Sequence, residues 1–367
     1  MSVRAWLCVL LVLAAPTLAR AQGVSAIPSA GGDTLRVTRG PARAQPSFVQ
    51  VTDLGDSVWV LSAGTANVVG CLTNSGWVLV DTGTRLEAAA IREQLRLIAQ
   101  RPILLVIDTH FHDDHAGGNG LYRGMGVPVL ATARTGTLVK EYAARVKRGA
   151  PQEIARLESY EQTVPDTPEN GRVRGFLDFF AGWWREALED ARRDPAGLVP
   201  PDRAFRGRQS RVVGGTQVEL REIPGGAHTG GDCVVLFPQR RVAAVGDLFA
   251  RGSAPWVDQF MGDGSFEGVI RAQDSLLTWI PPDTTWRVVS GHGPVARPAD
   301  VAQSRAALGE LRACVEQAHA AGRVPGTVAA DCAGVGFAAD QGDYAAWLLL
   351  DDWGRVRSRP APRPRPR

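Results

Sequence analysis

A chain of 367 residues that is 44% hydrophobic and 22% charged has the composition of a globular protein, which excludes a fibrous or disordered one. Its formal charge of +3 belongs to its ends, with six arginines between Arg355 and Arg367 and two more, Arg4 and Arg20, near the start. Removing these eight from the 41 basic residues leaves 33 against 38 acidic ones, so charge makes no case for a nucleic-acid partner.

Residues 1–21 run from Arg4 through the apolar stretch Ala5–Ala15 to Ala19-Arg20-Ala21, a small-x-small cleavage pattern. This reads as a signal peptide cut after Ala21, because a membrane anchor needs about 20 apolar residues and this stretch has roughly half that. The mature protein is therefore expected in the periplasm or secreted, without a membrane span. Residues 22–46, rich in Gly, Pro, Ala and Ser, read as a linker.

From Phe48 the pattern turns to strands at 58–61, 67–72 and 77–80, the last ending in Asp81. Leu86, Ile91, Leu95 and Ile98 follow near helical spacing, and 103–107 is a fully apolar strand that stops at Asp108-Thr109-His110. Strand, helix, strand in this order predicts a layered α/β fold with functional groups on the loops beyond the strand ends. Residues 132–205 carry no strand pattern and predict three helices, at 138–148, 152–162 and 174–193, with Pro165, Pro168 and Pro195 as breakers. The aromatic stripe of the third, Phe176, Phe179, Phe180, Trp183 and Trp184, suits either a lid over a pocket or a helix packed on the main body.

Strands resume at 211–223, 233–237 and 242–245, the last leading into Gly246-Asp247. A helix at 265–279 precedes a strand at 286–290 and Gly291-His292-Gly293, and helices at 300–321 and 340–352 finish the fold. The tail 355–367, rich in Arg and Pro, cannot bury a core. Export leaves four cysteines where disulfides survive. Cys314 and Cys332, flanking a turn between helices, suit a bridge and two free thiols equally, and Cys71 and Cys233, in apolar strands, are expected to be buried thiols. The chain has no Cys-x-x-Cys, so neither a thiolate zinc site nor a redox motif is supported.

The sharpest signal comes from the histidines, of which there are only six. Three of them, with two aspartates, form His110-Phe-His112-Asp113-Asp114-His115, on a loop directly after a buried strand. Such a set suits a borderline metal such as zinc. His228 follows a strand among glycines, and Asp247 and His292 stand at the ends of two more. Together these residues suffice for two metal ions, each with an open position. His319, inside a helix, is outside the pattern and reads as surface.

In this order, Asp81, the His-x-His-x-Asp-His loop, His228, Asp247 and His292, the chain resembles the metallo-β-lactamase superfamily from about Phe48 to Val301. The resemblance implies a four-layer αβ/βα sandwich over residues 47–301. A helical insertion at 132–205 interrupts it and C-terminal helices at 302–354 follow it. The same resemblance implies that His110, His112 and His228 hold one metal and Asp114, His115 and His292 a second. Asp247 would bridge them, and Asp81 would orient the histidine loop from behind. The ions would be two zinc ions, with iron or manganese as alternatives. Two adjacent cations lower the pKa of a shared water, so the implied reaction is hydrolysis of a small molecule, with Asp114 also orienting the nucleophile. Of the possible substrates, export and the bridging aspartate favour an ester, lactone or related acyl bond. A β-lactam is the runner-up, and a metal-dependent phosphodiesterase the reading from another class.

Overall fold

The structure, a computed structural model, describes residues 24–28, 34–38, 48–163, 171–193, 198–259, 261–323, 331–332 and 334–337. The leader, the prolines expected to break the insertion helices, the helix expected at 340–352 and the tail lie outside these residues. Within the stretch read as a linker, β1 (Val24–Pro28) pairs antiparallel with β2 (Thr34–Thr38).

Two sheets make the body. The first takes the order β3 (Gln50–Gly55), β4 (Val58–Ser62), β5 (Asn67–Leu72), β6 (Trp77–Val80), β7 (Ile103–Ile107), β8 (Val129–Thr132), β9 (Arg203–Phe205). The second takes the order β10 (Arg208–Val213), β11 (Thr216–Glu222), β12 (Cys233–Phe237), β13 (Val242–Gly246), β14 (Arg287–Ser290). Pairing is antiparallel from β3 to β6 and from β10 to β13, and parallel from β6 to β9 and between β13 and β14. Each parallel step needs a crossover, and α1 (Ala88–Ile98) and α6 (Phe266–Trp279) supply two of them on the outer faces.

The alternation of strand side chains explains the layers. In β6, Val78 and Val80 face the second sheet in one buried cluster with Leu220, Val235, Phe237 and Val242. Trp77 and Leu79 point the other way, into a cluster with Ile91 and Leu95 of α1. The outer face of the second sheet does the same. Val234, Leu236, Val245 and Val288 pack on α6 and on α7 (Pro298–Ala320) through Val269, Leu276, Leu308 and Leu311. The result is the αβ/βα sandwich, in which strands covered on both faces read as continuous apolar runs.

Two short helices, α2 (Asp113–Ala116) and α3 (Asn119–Gly124), follow β7. The insertion departs from expectation in two ways. Its first two expected helices are one, α4 (Ala133–Thr163), running through Pro151, and it begins early because the Thr132 hydroxyl accepts from the Thr135 amide at 3.0 Å. The second insertion helix is α5 (Gly171–Arg193), and the insertion ends in the three-residue strand β9, too short to show as a sequence pattern. Of the aromatic stripe, the side chain of Trp184 is described: it is buried against Leu138, Val146 and Leu157 of α4. The strand expected at 211–223 is a hairpin, because Gly214 and Gly215, with φ of +53° and +79°, make the two-residue turn between Val213 and Thr216. His319 lies in the last turn of α7 and is half-buried rather than on the open surface.

Cys71 and Cys233 are buried free thiols, and Cys314 is bonded to Cys332 across 18 residues. Closing a loop of that length stabilises the fold by about 3 kcal/mol through the unfolded chain. The paired Cys314→Ser and Cys332→Ser substitution should therefore lower the urea midpoint, whereas an unchanged midpoint would show that the bridge does not constrain the unfolded state.

Candidate metal centre

The parallel pairs bring the site together. Val80 is level with Ile107 and Gly246 with Ser290, so the residues after these strands, Asp81, the loop from Asp108, Asp247 and Gly291-His292, emerge at one edge of the sandwich. All seven residues expected as ligands meet there. The ligand atoms fall into two groups, His110, His112, His228 and Asp247, and Asp114, His115 and His292, each within 4.8 Å.

The outer nitrogen of every imidazole is tied down. His228 Nδ1 donates to the Trp256 carbonyl at 2.8 Å and His292 Nδ1 to the Thr65 carbonyl at 3.0 Å, since a carbonyl can only accept. His115 Nδ1 donates to Asp81 Oδ2 at 2.9 Å, and His112 Nε2 to Asp258 Oδ2 at 3.0 Å. The Thr109 hydroxyl gives its proton to Asp81 Oδ2 at 2.9 Å and so accepts from His110 Nδ1 at 3.0 Å. These bonds hold one nitrogen of each ring from outside and turn the other five inward.

Those nitrogens converge. His110 Nε2, His112 Nδ1 and His228 Nε2 are 3.0 to 3.2 Å apart. Ring nitrogens so close suit a cation among them, since tetrahedral zinc with bonds of about 2.05 Å needs ligands roughly 3.3 Å apart. Asp114 Oδ2, His115 Nε2 and His292 Nε2 lie 3.3 to 3.6 Å apart. Asp247 stands between the groups: its Oδ2 is 3.5 Å from His228 Nε2 and 3.3 Å from His292 Nε2, and its Oδ1 is 3.5 Å from His115 Nε2. Asp247 Oδ1 is buried without a hydrogen-bond partner, an orphan that a metal ion would satisfy. On each of these observations the residues fit two metal ions.

The electrostatics differ from ring to ring: burial opposes charge on His112, but its bond to Asp258 and the nearby aspartates outweigh it and raise the ring. Burial and the imidazoles of His115 and His228 push His110 well below the ordinary histidine range, and burial takes His228 down to about 4. Burial also opposes charge on His115, but Asp114, Asp247 and Asp81 outweigh it and raise the ring to about 9. Burial would raise Asp247, yet His292 and His115 hold it well below the usual carboxylate range, and His115 and His292 do the same for Asp114. Both carboxylates are thus ionised and available as ligands.

Asp81 sits where the sequence places it, behind the loop, accepting from the Thr109 amide at 2.7 Å as well as from Thr109 Oγ1 and His115. Its left-handed φ of +66° turns the carboxylate under the histidine loop. Sequence reasoning missed Asp258, Thr65 and Trp256. Asp258 ends no strand and lies in no motif, and Thr65 and Trp256 act through backbone carbonyls, which leave no trace in side-chain identity. Glu87 is missed for a different reason, being read as part of a helix start. It is buried and takes hydrogen bonds from Thr65 Oγ1 and from the amides of Thr65 and Thr84, which fixes the loop that holds His292.

A family model for the metallo-beta-lactamase superfamily matches residues 60–314. A solved metallo-beta-lactamase from Pontibacter korlensis is similar with a TM-score of 0.50 and 21% identity, over 71% of this chain and 99% of that one. A double mutant of the sec-alkyl sulfatase PisA1 is similar with a TM-score of 0.56 and 16% identity, over 86% of this chain and 53% of that one. At these identities the two structures speak for the fold alone. The family match spans every residue gathered in the site, and the chain belongs to the metallo-beta-lactamase superfamily, a family of metal-dependent hydrolases.

Proposed function

We propose that this chain is an exported hydrolase with a two-metal centre that cleaves an ester, a lactone or a related acyl bond of a small molecule. The observation that carries the reading is the placement of Asp247, an ionised carboxylate with an orphaned oxygen between two sets of pinned imidazoles. His110, His112 and His228 would hold one ion, Asp114, His115 and His292 the other, and Asp247 both. Zinc fits this donor set, as do iron and manganese. Bound there, two such cations supply a water acidified towards pH 7 and polarise the bond under attack.

The chain's own residues do the rest. The Asp114 side chain is 29% exposed and ionised, so it can accept a hydrogen bond from the attacking water and orient it. His292, 43% exposed, stands at the mouth where substrate arrives, while His110, His115 and His228 are sealed from solvent. A polar wall at the mouth and a dry floor suit charge development at the reacting carbonyl. The apolar leader supports export, and among the described residues no helix is long and apolar enough to cross a membrane.

An aspartate at position 247 supports an acyl ester or lactone over a β-lactam, which stands as the second choice. A parallel rate panel decides: an acyl lactone, a nitrophenyl ester, a chromogenic cephalosporin, a bis-nitrophenyl phosphate and an alkyl sulfate ester. The lactone or ester should lead, and a chelator should abolish its hydrolysis. A cephalosporin, phosphate or sulfate ester leading by orders of magnitude would overturn the substrate assignment.

A further inference from the structure

The segment from Trp256 to Ser265 touches two of the three histidines assigned to the first ion. The Trp256 carbonyl takes the His228 Nδ1 proton, Asp258 Oδ2 takes the His112 Nε2 proton, and the Asp258 amide donates to the His228 carbonyl at 2.9 Å. Asp258 is itself held, its Oδ1 accepting from the Met261 amide at 2.8 Å.

This segment is held on one side by the 227–230 loop, the Ser265 amide donating to the Ala227 carbonyl at 2.7 Å, and on the other by the helical insertion. Arg145 of α4 donates through Nη1 to the Met261 carbonyl at 2.7 Å and to Asp263 Oδ1 at 3.2 Å, and Arg134 of the same helix pairs with Asp263. Asp263 holds a left-handed φ of +59°, which aims its carboxylate at both arginines. The Met261 side chain is buried with Leu138, Val139 and Val146 of α4 and with Phe111, the residue between His110 and His112. The insertion therefore grips the first ion's ligands from two sides, through the backbone at Phe111 and through the chain Arg145, Met261, Asp258, His112.

The second ion's ligands have other supports. His115 leans on Asp81, at the end of β6, and His292 on Thr65, in the β4–β5 turn that Glu87 fastens. Neither support is in the insertion.

On the two-metal reading above, we propose that the insertion is a brace for the first metal position, with Arg145 as its positioning residue. Partners that orient a metal-bound histidine typically carry 10- to 100-fold of metal affinity. Asp258→Ala should therefore weaken the first position by about that range, and Arg145→Ala, one link further out, by roughly 10-fold. The second position should keep its affinity in both.

The test is a competition titration of the full mature chain with zinc ions alone against a chromophoric chelator, which resolves two dissociation constants. His112→Ala and His292→Ala assign each constant to a position. Cobalt titration with absorption spectra gives a readout of ligand geometry that mere loss of stability would not move. Arg185→Ala, which breaks an exposed pair with Glu158 within the insertion, is the control and should leave both constants unchanged. Arg145→Lys should recover part of the loss, since an ammonium can replace one of the two contacts. If Asp258→Ala does not fold, Arg145→Ala and Asp263→Asn carry the test. Two wild-type constants in Arg145→Ala would overturn the brace while leaving the two-metal reading in place. A wild-type chain that binds fewer than two ions would overturn both.

Discussion

On the proposed two-metal reading, Asp247→Ala is expected to cost on the order of 10³-fold or more in kcat/KM, because it would remove a ligand shared by both metal positions and with it the preorganised charge of the site. The metal content should fall to one ion per chain or fewer. The body should stay folded: Asp247 Oδ1 has no hydrogen-bond donor in the protein, so truncation strands no partner there. Its charge is one of those that raise the His115 and His292 rings, so both should titrate at lower pH in the variant, which NMR of the imidazoles can follow in chelated protein. Wild-type rates or wild-type metal content would remove Asp247 from the site.

The second large effect is expected from a residue with no side chain. A Cβ built on Gly291 would stand 1.9 Å from Asp247 Oδ1 and 2.6 Å from His115 Cε1. Both neighbours are held by their own strand or loop, so Gly291→Ala must displace the carboxylate, the imidazole or the His292 loop itself. Asn67 resists the last of these, since its amide donates to the Gly291 carbonyl at 2.7 Å and its side chain to the Ser290 and Gly293 carbonyls. We expect Gly291→Ala to lose the second ion and at least about 10²-fold in rate, comparable to losing a preorganised group, although every ligand is retained. Metal analysis and steady-state rates measure this. An unaffected variant would show that Asp247 does not lie where the structure puts it.

Much of the site was legible because its chemistry is dense and periodic. An apolar strand such as Ile103–Ile107 announces where the chain surfaces, and three histidines crowded just beyond it have little to do there but bind a metal. Asp81, Asp247 and His292 were readable for the same reason, each closing a buried strand. The sandwich layers were readable from strands apolar on both faces. The Gly214-Gly215 turn was legible in principle, since a glycine pair between alternating residues marks a hairpin.

The remainder depends on tertiary contact. Asp258 is recognisable as a histidine partner only once the 256–265 segment is folded over His112, and nothing in its neighbours' identity forecasts that. The carbonyls of Thr65 and Trp256 would serve equally well on other residues. The continuity of α4 through Pro151 is a packing result, with Val146, Ala150 and Leu157 buried on either side of the proline. Burial of that face outweighs the roughly 3 kcal/mol that an interior proline costs.

Everything proposed for this chain rests on one edge of the sandwich holding two metal ions. Loading the purified chain with zinc, removing unbound metal and counting ions per chain by elemental analysis tests this without any assumption about substrate. A value close to two is expected in the wild type, falling to about one in His292→Ala; a wild-type value of one or none would contradict the two-metal centre.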